Sequence, residues 1–331
     1  MKRSVFSSIA VLLAGLFMLG SFGICFAADK PLVIKANIPT TADAPYGMGI
    51  KKFVEAANAK TKSVKFELQL FPSSQLGGTR ETVEKIQMGS ITMTACSSGF
   101  LSGFAPSIAV FDLPYLFRDS QHAYKVMDGP VGDTVKQELL SKDIRLLGFF
   151  ENGWRHLTNN SRPIKRPEDL KGLKIRVMES PLMVSTLNSM GAIATAMDWS
   201  EVITSLKTGV IDGQENVPMN IWNDKTYEVQ KHISLTYHFY NPGVLLISES
   251  FFKKLPKDVQ DALIKAGNEA TVYERGLAAS ESEKSLERVV KAGMVLERNP
   301  DIEAFRKSVE PVYAKFGEKY AKLIKIVRET K

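Results

Sequence analysis

The chain has 331 residues, a formal net charge of +7 and two cysteines, Cys25 and Cys96. Its basic residues are scattered and accompany no nucleic-acid motif, so nucleic acid is excluded as a partner and the charge reads as a solvated surface with a bias toward anionic ligands. Cys25 falls in a segment expected to leave, so no intramolecular disulfide is possible and the fold must rest on its core; about 300 remaining residues can bury roughly three quarters of their unfolded surface and suggest two domains.

The order of elements begins with a leader. Lys2 and Arg3 precede an uncharged run over residues 5–26, and Cys25 and Ala27 are small residues at positions −3 and −1 of a cleavage site. The pattern predicts a signal peptide over 1–27 and a mature chain that starts at Ala28 and loses the two charges of Lys2 and Arg3. The run is also long enough for an uncleaved anchor, but its small-residue exit favours cleavage. A lipoprotein reading of Cys25 fails on Ile24, which stands where a small residue is needed. No later segment is long and apolar enough to cross a membrane, so the mature protein is expected to be soluble and exported.

Beyond Ala28 strands and helices alternate. "PLVIKANI" reads as a strand, and residues 46–59 as a helix with Ile50, Phe53, Val54 and Ala57 on one face. "VKFELQLF" is a strand, Thr79 is expected to cap the helix "TRETVEKIQMG", and "SITMTACSS" is a strand again. This βαβαβ order predicts an α/β fold with a mostly parallel sheet. "IRLLGFF", "LKIRVM" and "VIDGQEN" read as further strands, residues 258–291 as one long helix, and the tail from Ile302 as helix restarted at Pro311. "ETVEKIQMGSI" (81–91) and "EVITSLKTGVI" (201–211) share the form Glu-x-apolar-x-x-apolar-x-x-Gly-x-Ile. Either helix-Gly-strand corners simply look alike, or the chain holds two similar lobes, each with its own sheet and a ligand cleft beyond the strand ends "ACSSG" and "GQEN".

Catalytic signatures are scarce. No Gly-x-Ser-x-Gly elbow, P-loop or dinucleotide fingerprint is present, and His122, His156, His232 and His238 show no metal-ligand spacing. Neither a metal nor a cofactor is expected. Cys96 reads as a buried small residue at a strand end, and Ser97 and Ser98 as hydroxyl donors at a cleft. The arginines are more informative. In "LKGLKIRVMESP" Leu173, Ile175 and Val177 point one way, and Lys174, Arg176 and Met178 the other. Arg176 lies either on a solvated face or in a cleft, where its fork meets a carboxylate with two hydrogen bonds. Arg155 follows a strand expected to end near Phe150 and reads as a second fork or a surface ion pair. Trp199 sits at a helix entry with Ser200 as its expected cap and reads as a ligand wall or a packing residue.

Eight ordered segments resemble one family: "FPSSQLGGTRE", "QMGSITM", "FDLPYLFRD", "DGPVGD", "ENGWRHLTN", "RPEDLKGLKIRV", "DWSEVITSLKTGVIDGQEN" and "FFKKLP". They cover most of the mature chain and resemble the DctP-type extracytoplasmic solute receptors of TRAP transporters. The resemblance implies a two-lobed, type II-like periplasmic binding protein whose lobes exchange strands and are crossed by a long helix. Lobe 1 is then 28–152 plus 241–280, and lobe 2 is 153–240 plus 281–331. It implies that Arg176 salt-bridges a ligand carboxylate, Arg155 makes a second cationic contact, Asn216 hydrogen-bonds ligand oxygens and Trp199 forms a wall. Ser97 and Ser98 fall at the first-lobe strand end, Arg80 at a variable contact and Tyr46 in a contributing loop. Many relatives carry a His where Ala44 precedes Pro45, which weakens transfer of any one ligand.

The function so implied is not an enzyme's. It is periplasmic capture of a small organic acid and its delivery, by a monomeric receptor, to small and large membrane permease subunits driven by an ion gradient. A sugar acid such as a uronate or aldonate suits the polar residues around "NGWRHLTN". A C4-dicarboxylate, held by Arg176 and Arg155 as two clamps, is the second choice, and an aromatic or branched keto acid the third. An exported hydrolase or isomerase would need a base beside Ser97, Ser98 or Cys96, with His156 the one histidine near a candidate segment. A receptor for a signalling partner would carry the same sequence features.

Overall fold

The computed structural model describes residues 30–331; the leader expected over 1–27, with Cys25 and Ala27, lies outside the described residues. The first unit runs β1 (Leu32–Asn37), α1 (Pro45–Lys60), β2 (Phe66–Phe71), α2 (Thr79–Gln87) and β3 (Met93–Ser97). Helices α3 (Ser120–Met127) and α4 (Pro130–Leu140) lead into the long strand β4 (Ile144–Asn159). A second unit repeats the order as β5 (Lys174–Val177), α5 (Pro181–Ser189), β6 (Ile193–Ala196), α6 (Trp199–Lys207) and β7 (Gly213–Asn216). After α7 (Pro218–Asn223) comes a second long strand, β8 (His232–Ser248). The chain closes with α8 (Glu249–Phe252), α9 (Lys257–Lys291), β9 (Val295–Glu297), α10 (Ile302–Ser308) and α11 (Glu310–Glu329).

The strand order β2-β1-β3-β8-β4-β7-β5-β6 reads the same from either end when the two units are exchanged. Within each unit the strands are parallel, and each unit ends against a long antiparallel strand. That strand comes from the far side of the chain: β4, which follows the first unit, pairs with β7, and β8, which follows the second, pairs with β3. This is the strand exchange. It also corrects the expectation of one sheet per lobe, because β4 and β8 pair with each other along most of their length and join both units into one sheet.

The echo between 81–91 and 201–211 is built into this topology. In both copies a helix ends at a glycine in the left-handed region, Gly89 at φ 75° and Gly209 at φ 73°, which only glycine adopts without strain. Each is followed two residues later by a buried isoleucine, Ile91 or Ile211, that turns the chain into its strand.

The α1 stripe of Ile50, Phe53, Val54 and Ala57 packs with Val259, Leu263, Ala266 and Ala270, which recur at three- and four-residue spacing on α9. The 35-residue α9 lies against α1, β4 and α7, and so touches elements from both halves. Pro311 stands in the first turn of α11, where its missing N–H costs nothing. No helix among the described residues is long and apolar enough to cross a membrane.

The strand does not stop near Phe150, where the sequence predicts its end. Strand β4 continues to Asn159, so Arg155 lies inside it. Register shifts between Glu151 and Gly153 and between Arg155 and Leu157 bend β4 where it passes from one unit to the other. A bulge of this kind re-aims a side chain, and Asn152 sits in the first of them.

Candidate functional site

Between the strand ends of the two units lies a narrow, partly open cavity of about 30 Å³. Thr40, Tyr46 and Ser97 line it from the first unit, and Arg176, Trp199 and Asn216 from the second. Arg155 and Asn152 come from β4, and Asn220 from α7. A wider groove of about 740 Å³ lies along α5 and beside Lys315, but Ser180 is the one buried residue of its lining and it holds no buried cation.

Arg176 is almost wholly buried, at 1% exposure. Its Nε and Nη2 donate to the Met197 carbonyl at 2.8 and 2.6 Å, and its guanidinium lies 5.5 Å from the Trp199 ring centroid. Among the described residues it has no salt-bridge partner. Burial lowers its pKa to about 10, with Glu215 opposing the shift, so it keeps its charge at neutral pH. A buried cation without a counter-ion is costly and attracts an anion that can reach it.

Arg155, equally buried, is already paired. Its Nε and Nη2 fork onto the Glu215 carboxylate, and Nη2 also donates to the Glu215 carbonyl at 2.6 Å. His238 Nε2 lies 3.6 Å behind the same carboxylate. Burial alone would raise the Glu215 pKa, but Arg155 and His238 hold it below the usual range. The cavity therefore has two arginines in its wall, of which Arg155 is paired with a carboxylate and Arg176, among the described residues, is not.

The floor is a chain of amides. Asn220 donates to Asn152 at 3.1 Å and to Asn216 at 3.2 Å, and Asn152 donates to Asn241 at 2.9 Å. Asn241 accepts from Ser97 and donates to Ser98 at 3.3 Å and to Asp112 at 3.4 Å. Ser98 thus stands behind the wall. Tyr46 Oη and Thr40 Oγ1 are buried in the lining without a hydrogen-bond partner among the described residues. Gly243 admits the Tyr46 ring, because a Cβ there would come within 2.7 Å of it. Arg80 stands outside the lining, 55% exposed and paired with Glu84. Of the eight residues singled out from sequence, the cavity brings together Arg176, Arg155, Asn216, Trp199, Ser97 and Tyr46. Sequence reading missed Thr40, Asn152 and Asn220, which lie in a loop, a bulge and a short helix.

Two expected caps are also corrected. The N-cap of α2 is Gly78, not Thr79, and the N-cap of α6 is Asp198, not Ser200. Thr79 and Ser200 are instead donors, both to the Asp198 carboxylate.

Asp112 carries a pH dependence. Burial raises its carboxyl from 3.8 to about 7, against the hydrogen bond from Ser180. The folded protein keeps that proton over a range in which the unfolded chain has lost it, so rising pH weakens folding between those two values and not beyond them. Relative to wild type, Asp112→Asn is expected to gain on the order of 1.4 kcal/mol per pH unit between about pH 4 and 7, and nothing more above that. Urea denaturation of both proteins across that range measures it.

Cys96 lies in the core with its thiol pushed up to about 12 by burial. His156 is held neutral by burial, with a pKa of about 3. Neither is poised as a nucleophile or base at neutral pH.

Residues 37–320 match the family model described as bacterial extracellular solute-binding protein, family 7. The chain is 38% identical over 284 residues to the 2,3-diketo-L-gulonate-binding periplasmic protein YiaO of Escherichia coli K12, covering 84% of this chain and 86% of that one. It is 37% identical over 271 residues to the C4-dicarboxylate-binding periplasmic protein DctP of Rhodobacter capsulatus, covering 81% and 80%. The crystal structure of a TRAP periplasmic solute-binding protein from Polaromonas sp. JS666, bound to D-erythronate, superposes with a TM-score of 0.88 at 36% identity, over 90% of this chain and 99% of that one. The fold of two exchanged units around a cationic cavity, and these likenesses over most of the length, place the chain in the DctP family of TRAP solute-binding proteins.

Proposed function

We propose that this chain is the solute receptor of a TRAP transporter and that it captures a sugar acid with a single carboxylate, such as an aldonate or uronate. The observation that carries the reading is the unpaired, buried guanidinium of Arg176 beside an Arg155 that Glu215 has already neutralised. One unpaired guanidinium matches a monoanion; a dicarboxylate would bring a second carboxylate into a dry site with no second free cation among the described residues to meet it. The unpartnered hydroxyls of Thr40 and Tyr46 and the amides of Asn152, Asn216 and Asn220 suit a polyhydroxylated chain. Trp199 offers an apolar face.

The protein acts by binding, without chemistry of its own. Ser97 is tied to Asn241 and lies 3.0 Å from Met178 Sδ, with no base at hand. The lobes divide as 28–152 with 241–280 and 153–240 with 281–331, the leader is removed after Ala27, and the receptor delivers its acid from the periplasm to a membrane permease. Because both lobes touch the acid, it binds their closed arrangement better and shifts the population toward it. A C4-dicarboxylate is the second reading, favoured by the presence of both arginines in the lining and by the Rhodobacter relative.

A thermal-shift panel on the mature chain separates these. A ligand at a hundred times its Kd adds about 2.7 kcal/mol of stability. D-erythronate or D-glucuronate is expected to raise the Tm by several degrees and succinate by much less. Succinate matching the sugar acids would overturn the one-charge argument, and neutral sugars matching them would remove Arg176 from recognition.

A further inference from the structure

The repeat relates α2 of the first unit to α6 of the second with an offset of 120 positions, so that Gly78 and Asp198 hold the same place, the N-cap of each helix. Only one of the two has a capping side chain, and its carboxylate serves both helices. Asp198 Oδ1 accepts from the Ser200 backbone N–H at 3.0 Å and from its hydroxyl at 2.7 Å, which closes the first turn of its own helix. Asp198 Oδ2 accepts from the Thr79 N–H at 2.8 Å, across the cleft and 119 residues away. Glycine at 78 leaves room for this approach: a Cβ there would stand 3.0–3.2 Å from the Asp198 carboxyl group, which would have to give by a few tenths of an ångström. The two flanking residues belong to the ligand site. The Met197 carbonyl holds Arg176, and Trp199 walls the cavity.

We infer that Asp198 is a positioning residue for capture, a latch that holds the two halves together over the cavity by capping α2 from the opposite side. A carboxylate between two helix N-termini is stabilised by both helix dipoles, and separating the halves leaves the first turn of α2 without this partner. The three-residue segment joins the latch to the ligand, because an acid held by Arg176 bears on the residue next to Asp198. Asp198 itself does not line the cavity, so its loss changes how long the cleft stays shut rather than what fits in it.

The inference rests on the proposed solute-receptor function, and the experiment reads the latch apart from ligand identity. Two variants break the contact in different ways. Asp198→Asn keeps a good cap for α6 but removes the charge shared with α2. Thr79→Pro deletes the donating N–H, together with a buried hydroxyl that makes no hydrogen bond among the described residues, at the first position of a helix, where proline is tolerated. Spin labels at Met88→Cys and Lys207→Cys, both exposed, report the distance across the cleft, while the buried Cys96 stays unlabelled. Distances are measured without ligand and with D-erythronate, D-glucuronate and succinate. The expected result is a short-distance population in wild type that falls in both variants. For any acid that binds, koff should rise at least tenfold with kon within twofold. Variants indistinguishable from wild type would overturn the latch, as would a wild type with no short distance in any condition. An acid panel that leaves every distribution unchanged would count against the sugar-acid reading, while the ligand-free distributions still decide the latch.

Discussion

Replacing Arg176 with alanine is expected to weaken binding of the cognate acid by about 10²–10⁴-fold while leaving the ligand-free protein as stable as wild type or more so. The two halves of this expectation have one cause. Charge-assisted hydrogen bonds to a carboxylate are worth on the order of 1.5–3 kcal/mol each, and a guanidinium fork makes two. Without ligand, the same guanidinium is a desolvated cation whose contacts are the Met197 carbonyl and the Trp199 ring, with the Glu215 carboxylate nearby already paired to Arg155. Removing it relieves that cost, and the Met197 carbonyl loses its donors in exchange. A structural arginine would behave the other way, because losing it would lower the Tm. Arg176→Lys is expected to fall between wild type and alanine, since the ammonium keeps the charge but cannot fork. Calorimetric titration and melting curves of the three proteins measure both effects. A lower Tm with unchanged affinity would assign Arg176 to the fold instead of the ligand.

Much of this was legible in the sequence because it is local. The 3.6-residue stripes of α1 and α9, the period-2 alternation around Arg176 and the repeated helix-Gly-strand corner are all patterns within a dozen or so residues. What the sequence hid is long-range. The cap of α2 comes from 119 residues away, so reading Thr79 as a local cap could not find it. Arg155 looked like a free second clamp because its partner Glu215 lies 60 residues on, in "DGQEN", and only the β4–β7 pairing brings them together. Asn152 reaches the floor through a register shift that no periodicity announces. Arg80 reads like Arg176 by type, yet on the exposed face of α2 it meets Glu84 four residues along. The two long strands were broken or missed because Gly153, at φ 107°, and Tyr237, at φ 48°, interrupt the alternation where the strands bend.

Glu215→Gln is expected to do two separable things. The first is to destabilise the protein by about 3–5 kcal/mol at neutral pH, the range for removing one partner of a buried ion pair. The glutamine can still accept from Arg155, but the guanidinium keeps its charge in a site with no exposure, and His238 loses the carboxylate beside it. The sign of the pH dependence follows. Arg155 and His238 hold the Glu215 pKa below its ordinary 4.5 despite burial, so its contribution is present at neutral pH and is lost as the pH falls through the lowered value. The gap between wild type and variant in urea denaturation should therefore be full at pH 7 and narrow below about pH 4. The second effect is on selectivity. With Arg155 no longer neutralised, the wall carries two positive charges, and succinate should gain on D-erythronate in calorimetric titration even if both bind more weakly than to wild type. Stability and selectivity then move for one electrostatic reason. If stability falls as expected while the ratio of the two affinities stays where it was, the charge on Arg155 is not felt in the cavity, and the preference for a single carboxylate must come from the amides and hydroxyls of the floor instead.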